Sequence, residues 1–342
     1  MSSSVIKAVF SKTDAALKAR LIKYISTRRL LLVVLLLVLI GVPLMPVSSF
    51  VVRMIIMAGL YIILTLSLNL ITGYTGQLSL GHAAFYAIGA YTSALLSLRS
   101  GLSFLVTAPV AALVAAAAAL MLGIPALKLQ GAYLAIVTLG FNEIVRIVAL
   151  NWMSLTRGPM GLPGIPNPRI LSYTIRSSRD YYYLILGLVL ITIIVMYRII
   201  NSRIGRGFIA IREDELAAEA MGINTHCYKI LSFTIAAFFA GLAGSYYAHF
   251  VTYIDPQSFT FEESIQMLSM VVLGGMGSIP GAILGAIVLV VSPELLRFLQ
   301  DYRMVIYGGV LIVMMLLRPQ GLLGGQNKIK AKVVREDEAI RG

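Results

Sequence analysis

The side chains that could do chemistry in this chain are few, and most crowd into one stretch. Between Leu66 and Phe85 stand Asn69, Thr72, Gly73, Thr75, Gly76, Gln77, Ser79, Gly81 and His82, with apolar residues on both sides. Irregular backbone at membrane depth survives only where protein or water covers it. The stretch therefore reads either as a broken helix lining a cavity or as a short turn. Asn142, Glu143 and Arg146 form a second polar group, inside the apolar run Tyr133–Leu150. Glu143 and Arg146 stand three apart and can pair on one helix face. Charge within a membrane marks a pathway or a contact with another helix. Asn69, Thr72, Gln77, Ser79, His82, Asn142 and Glu143 are thus the candidates for a translocation path.

No catalytic set assembles around them. His82, His226 and His249 are scattered, and there is no His-Glu-x-x-His or Gly-x-Ser-x-Gly pattern. An intramembrane hydrolase with a Ser–His pair that spacing cannot show, such as Ser278 with His249, is the weakest of the readings. The turn Gly274-Gly275-Met276-Gly277-Ser278-Ile279-Pro280-Gly281 is glycine-rich, but no Lys-Ser or Lys-Thr follows it, so it is not a phosphate loop. No metal or cofactor is expected. The single cysteine, Cys227, excludes an internal disulfide.

The elements that must position these groups are membrane helices. The chain has 342 residues, 58% of them hydrophobic and only 13% charged, with a mean hydropathy of +0.88. Soluble domains rarely reach such values. The net charge of +13 sits at the ends and in loops, as in membrane anchoring, rather than in a nucleic-acid patch.

Apolar runs lie near Leu30–Met45, Arg53–Ile71, Leu78–Leu98, Phe104–Ile124, Tyr133–Leu150, Tyr183–Ile200, Lys229–Phe250, Ile265–Val272, Gly281–Val291 and Met304–Leu317. The fold class is all-α: a polytopic membrane protein with about ten segments, the shorter ones broken or re-entrant. Residues 1–29 form a basic, amphipathic cytoplasmic segment, 30–323 the membrane domain, and 324–342 a charged cytoplasmic tail. Counting Lys and Arg puts both termini, Lys128 and the loop 203–228 inside. The outer loop 151–182 disagrees in carrying Arg157, Arg169, Arg176 and Arg179; its prolines make it stiff, a connector or a landing surface.

Small residues four apart, Gly277, Gly281 and Gly285, with Ala236, Ala240 and Gly244, are expected to let helices approach closely. Glu294 and Arg297 lie near a membrane surface, where snorkelling suffices. The loop Arg203–Tyr228 is the longest charged interruption. It has Arg212, Glu213, Asp214, Glu215 and Glu219 on one face and Ile209, Leu216, Ala220 and Ile223 on another. It is either a solvated connector or a face for a soluble partner.

Several long runs carry a likeness to a known family. They are Leu66–Phe85, Gly158–Pro166, Phe259–Ile265, Val272–Ser278 and Arg318–Leu322. In order along residues 54–323, they resemble the permeases of branched-chain amino acid ABC importers, of the LivM type. In the loop, Ala217, Ala218 and Gly222 align with the Glu-Ala-Ala-three residues-Gly pattern of importer permeases, while Leu216 stands at the Glu position and Glu215 one place early.

The resemblance implies ABC-importer permease architecture in a cell (inner) membrane. It also implies a second homologous permease, two ABC ATPase subunits, an external substrate-binding protein, and no enzymatic activity of the chain's own. Arg212, Glu215, Leu216, Ala217, Ala218 and Gly222 are the residues it places at the ATPase contact. An aliphatic amino acid is the implied substrate. Urea or short amides, a passive solute channel and an ion-coupled secondary transporter are the alternatives.

Overall fold

The computed structural model describes residues 48–295 except 128, 130, 171 and 172, together with 41, 43, 308, 309, 312 and 321–323. The N-terminal segment 1–29, most of the runs Leu30–Met45 and Met304–Leu317, Lys128, Arg297 of the Glu294–Arg297 pair and the tail 324–342 lie outside the residues so described. The chain clusters into two compact units, residues 1–52 and 53–342, and every site residue belongs to the second.

Helices dominate. α1 (Ser49–Asn69) runs into a π-turn at Leu70–Tyr74. α2 (His82–Ser100), α3 (Phe104–Ala126) and α4 (Ala132–Asn151) follow. A short α5 (Met153–Thr156) opens the loop to α6 (Ser178–Ile200). Then come α7 (Arg203–Glu213), α8 (Glu215–Ala220), α9 (Thr225–Val251), α10 (Phe261–Gly274) and α11 (Ile279–Leu295).

Five helices among the described residues are long and apolar enough to cross a membrane: Ser49–Tyr74, Phe104–Ala126, Ala132–Asn151, Ser178–Ile200 and Thr225–Val251. In the apolar stretch of each span, 72% of residues are buried for Ser49–Tyr74 and 56% for α9, against 28% for α4 and 22% for α6. The first two therefore form the core, and the last two present outer faces. α2 is also central. It buries His82, Ser93 and Ser97, so its composition falls short of a simple apolar span.

Sequence explains the close packing of α2, α3 and α9. Apolar side chains gain little by leaving lipid, so helices associate where small residues let backbones touch. Gly89 faces the backbone of Gly241, Gly244 faces that of Tyr86, and Gly241 meets Ala111, Ala112 and Ala115. Ala236 and Ala240 are fully buried in the same helix as Gly244. Gly281 and Gly285 likewise meet Gly274 and Met270 across the α10–α11 hairpin. With 14 and 17 residues, α10 and α11 are each shorter than the roughly 20 needed to span.

Gly277 corrects the expected stripe. It is in the turn before α11, with φ +75°, and a Cβ there would meet Arg212 and Gly73 rather than a helix face.

The departure from pure helix is small. Strands β1 (Leu162–Pro163), β2 (Arg169–Ile170), β3 (Tyr173–Thr174) and β4 (Tyr253–Ile254) make two antiparallel pairs, β1 with β4 and β2 with β3. Leu162 pairs with Ile254, so the loop before α6 is tied to the end of α9. A capping box of Ser177 and Asp180 starts α6. The Tyr173 hydroxyl donates to the Asp180 carboxylate at 3.1 Å, which raises the phenol's pKa. Arg157, Arg169, Arg176 and Arg179 are all exposed on this loop.

Candidate translocation and coupling site

The break after α1 is held by one side chain. Asn69 is 1% exposed; its Nδ2 donates to the Ser278 carbonyl at 3.2 Å, and its Oδ1 accepts from the Gly277 N–H at 2.9 Å. A carboxamide with one donor and one acceptor suits two facing turns whose backbone groups have no helical partner. Gly73 must be glycine, because a Cβ would strike Asn69 Oδ1 and the Gly277 backbone. The break at 69–77 and the break at 275–278 therefore lock together.

Arg212, at the end of α7, joins them. Its Nη1 donates to the Gly73 carbonyl at 2.6 Å. Its side-chain stem packs on Gly76, where a Cβ would come within 3.1 Å of Cγ. Arg212, itself an exposed residue, thus binds the break of its own chain through the guanidinium. Asp214 explains why it sits at a helix end: with φ −159° and ψ 113° it leaves helical geometry, and its carboxylate accepts from the Ala217 N–H at 3.0 Å. Two helices form where the charge pattern alone reads as one.

The rest of the loop sorts by exposure. Glu215 pairs with Lys229, whose side chain is 5% exposed. Ala218 is buried in its own chain, so it offers no surface, whereas Ala217 is exposed. Leu216 and Met221 are 79% and 83% exposed. Gly222 has φ +83°. It closes α8 with its N–H on the Glu219 carbonyl and the Ile223 N–H on the Ala218 carbonyl, at 2.9 and 3.1 Å. This is a Schellman ending, which favours glycine.

The candidate path residues divide. Thr72, Gln77, Ser79 and Asn142 are buried, yet their side-chain polar atoms have no partner among the described residues. Buried polar groups normally find one, in protein, water or ligand. His82 shares a hydrogen bond between its Nε2 and the Ser67 hydroxyl at 2.8 Å, and its Nδ1 is unpartnered. The Thr138 hydroxyl accepts from the Leu80 N–H and the Ser264 hydroxyl from the Ala83 N–H, both at 3.0 Å, so α4 and α10 hold this segment in place.

Glu143 belongs elsewhere. Its carboxylate pairs with Arg146 at 39% exposure, on the outward side of α4, away from the buried Asn142.

His249 and Ser278 are not together. His249 Nδ1 donates to the Pro166 carbonyl at 2.7 Å, and its Nε2 lies 3.1 Å from the Ser93 hydroxyl. Ser278 belongs with Asn69, as above. Sequence reasoning missed Lys229, the bond from Arg212 to the break and the His249 node. Only the first left a trace, as a lone cation at the head of an apolar run.

A helical bundle that locks two chain breaks beneath a charged loop, and leaves buried polar groups along them, defines a multi-pass membrane permease. Residues 50–315 match the family model described as branched-chain amino acid transport system / permease component, and the chain belongs to that family. It is 44% identical over 319 residues to the high-affinity branched-chain amino acid transport system permease protein LivM of Escherichia coli (strain K12), covering 86% of this chain and 75% of that protein. It is 43% identical over 338 residues to the Salmonella typhimurium LivM, covering 91% and 79%. The LivH permease protein of the same Salmonella strain is 28% identical over 289 residues, 77% of this chain and 91% of that protein. No solved structure matches.

Proposed function

We propose that the chain is one permease of an ATP-driven importer of branched-chain amino acids. It packs against a second, homologous permease, works with two ATPase subunits and receives substrate from an external binding protein. The observation that carries this reading is the Arg212 contact, which links the charged loop 203–228 to the break at Gly73. An ATPase that moves the loop would move the break. Both LivM and LivH relatives align with this chain, which supports a two-permease assembly. The outward Glu143–Arg146 pair on α4 suits the permease–permease contact, since a charge pair facing lipid is costly.

The proposed topology has about ten segments and both termini in the cytoplasm. Contacts support the sidedness. The segments 73–77, 212–229 and 275–278 meet at one end of the bundle. The outer loop meets α9's far end through Pro166 and Leu162. Hence Cys227 should react with an impermeant thiol reagent only in opened cells, and Ser178→Cys from outside. Labelling of Ser178→Cys only from within would reverse the model.

Gly222→Asp tests the coupling role. A Cβ at Gly222 meets nothing within 4 Å, so the permease should fold and insert. The positive φ disfavours any side chain by about 1 kcal/mol, and the new charge projects beside the exposed Leu216 and Met221. ATPase co-purification and leucine uptake should both fall. If both match wild type, the loop is a connector and the importer reading loses this support.

A further inference from the structure

Glu263, in the first turn of α10, lies outside the site described above. It follows the N-cap Thr260 at capping-box spacing, yet its carboxylate is turned away from the cap. Its Oε2 accepts from the Tyr61 hydroxyl of α1 at 3.0 Å. Tyr61 stands at the middle of the span Ser49–Tyr74, so the carboxylate sits near mid-membrane depth. The ion pairs among the described residues are Arg146 with Glu143 and Lys229 with Glu215; Glu263 is in neither. A carboxylate at that depth with only a neutral hydroxyl to meet it is costly, and such residues mark a path or a site.

Aromatic rings gather around it. The Tyr86 ring of α2 is 5.3 Å from that of Tyr247 on α9 and 5.1 Å from that of Phe259, and Tyr247 and Phe259 are 6.0 Å apart. The Glu263 carboxylate is within electrostatic reach of both Tyr86 and Tyr247. Tyr86 is buried, whereas Tyr61, Tyr247 and Glu263 are half-buried and keep open surface. Arg146 of α4, already paired with Glu143, is within electrostatic reach of the neighbouring Glu262. Glu263 is therefore beside the face suggested above for the second permease, where a path between two permeases would run.

We propose that Glu263, with Tyr61 and Tyr247, binds the ammonium of a free α-amino acid as it crosses the membrane. The proposal deepens the importer reading and rests on it for the identity of the ligand. A zwitterion that leaves water keeps its ammonium charged only where an anion replaces the lost hydration. Glu263 supplies that anion. An ammonium has three donors and a carboxylate about four acceptor sites, so the ligand need not displace the Tyr61 hydroxyl. A tyrosine face within about 6 Å attracts the same cation. An anion is repelled, and a neutral amide leaves the carboxylate unmatched. Glu263 thus reads the charge common to α-amino acids and leaves the side chain to other residues.

The test has two arms. In the first, the purified full chain in detergent carries Cys227→Ser and Gln266→Cys. Gln266 is half-buried, one turn beyond Glu263 on the same face of α10, so a thiol there reports occupancy. Leucine should slow maleimide labelling, by about elevenfold at ten times its dissociation constant. Isoamylamine, which keeps the ammonium and lacks the carboxylate, should protect comparably. Isocaproate, which lacks the ammonium, should not protect. Glu263→Gln still accepts from Tyr61 but carries no charge, and should abolish protection. Labelling unchanged by leucine up to about 10 mM, enough to fill a site of about 1 mM affinity, overturns the proposal. That is the result expected if Glu263 instead pairs with a cation of the second permease. Failure of isoamylamine to protect, protection by isocaproate, or protection that survives Glu263→Gln overturns it too.

In the second arm, leucine uptake is measured in cells with the whole importer. Glu263→Gln should lower the rate by about tenfold or more, the loss of one charged contact, at unchanged amounts of permease and co-purifying ATPase. Glu263→Asp should recover part of it. Wild-type uptake in Glu263→Gln overturns the proposal. Uptake by the unaltered importer without protection of the thiol rejects the site and leaves the importer reading standing; protection without uptake rejects the importer reading and leaves an ammonium site.

Discussion

Replacing Arg212 with methionine is expected to lower leucine uptake by about tenfold or more, while the amount of permease in the membrane stays near wild type. The variant keeps the apolar stem that packs on Gly76 and loses the Nη1 donor to the Gly73 carbonyl. A hydrogen bond from a charged group contributes about 1.5–3 kcal/mol, which is a factor of about 10 to 100 in a two-state equilibrium. Asn69 still holds the break to residues 277 and 278 without that bond, so the fold should outlast its loss. What goes is the link between loop and break. Arg212→Lys should recover part of the activity, since an ammonium can donate to one carbonyl but lacks the planar fork. Uptake normalised to immunoblotted permease checks this; a wild-type rate in Arg212→Met would show that the loop moves nothing through that contact.

How much of this was legible beforehand differs by type of interaction. Apolar runs locate helices because lipid imposes one rule on every residue of a span, and α1, α3, α4, α6 and α9 fall where those runs lie. The polar stretch at 69–82 also announced a break, because no continuous span needs that density of Gly and Asn. Its partner did not show. That Asn69 holds residues 277 and 278 is a contact across some two hundred positions, and no local pattern encodes it. Spacing misled at Gly277, which continues the series of Gly281 and Gly285 in number but lies in a turn with φ +75°. A period of four is evidence only while the helix lasts. Asp214 could have been read as a helix start inside the loop, by its cap chemistry alone. The inward face of Ala218 and the buried Lys229 could not, since burial there depends on α9 folding back beneath the loop.

The largest loss of folded protein is expected at the seam between α2 and α9. Gly89→Ala and Gly241→Ala should each destabilise the purified permease, whereas Gly140→Ala and Gly187→Ala should leave it unchanged or slightly firmer. On propensity alone all four substitutions favour a helix, by roughly 0.5–1 kcal/mol. The difference is what the new methyl meets. At Gly140 and Gly187 nothing lies within 4 Å. At Gly89 it strikes the Gly241 backbone, and at Gly241 it comes within 2.6 Å of the Ala115 methyl and 2.9 Å of the Ala111 carbonyl oxygen. Backbone cannot rotate aside as a long side chain does, so α9 must shift from α2 or α3. Overpacking of that kind costs about 1–3 kcal/mol, enough to reverse the sign of the propensity gain. The shift would also disturb Ser245 and His249, which follow Gly241 on α9 and hold Ser93 of α2. Thermal unfolding of the four variants in one detergent checks the contrast. If Gly89→Ala and Gly241→Ala melt with Gly140→Ala, the three-helix core does not depend on backbone contact, and close approach of small residues is not what holds this permease together.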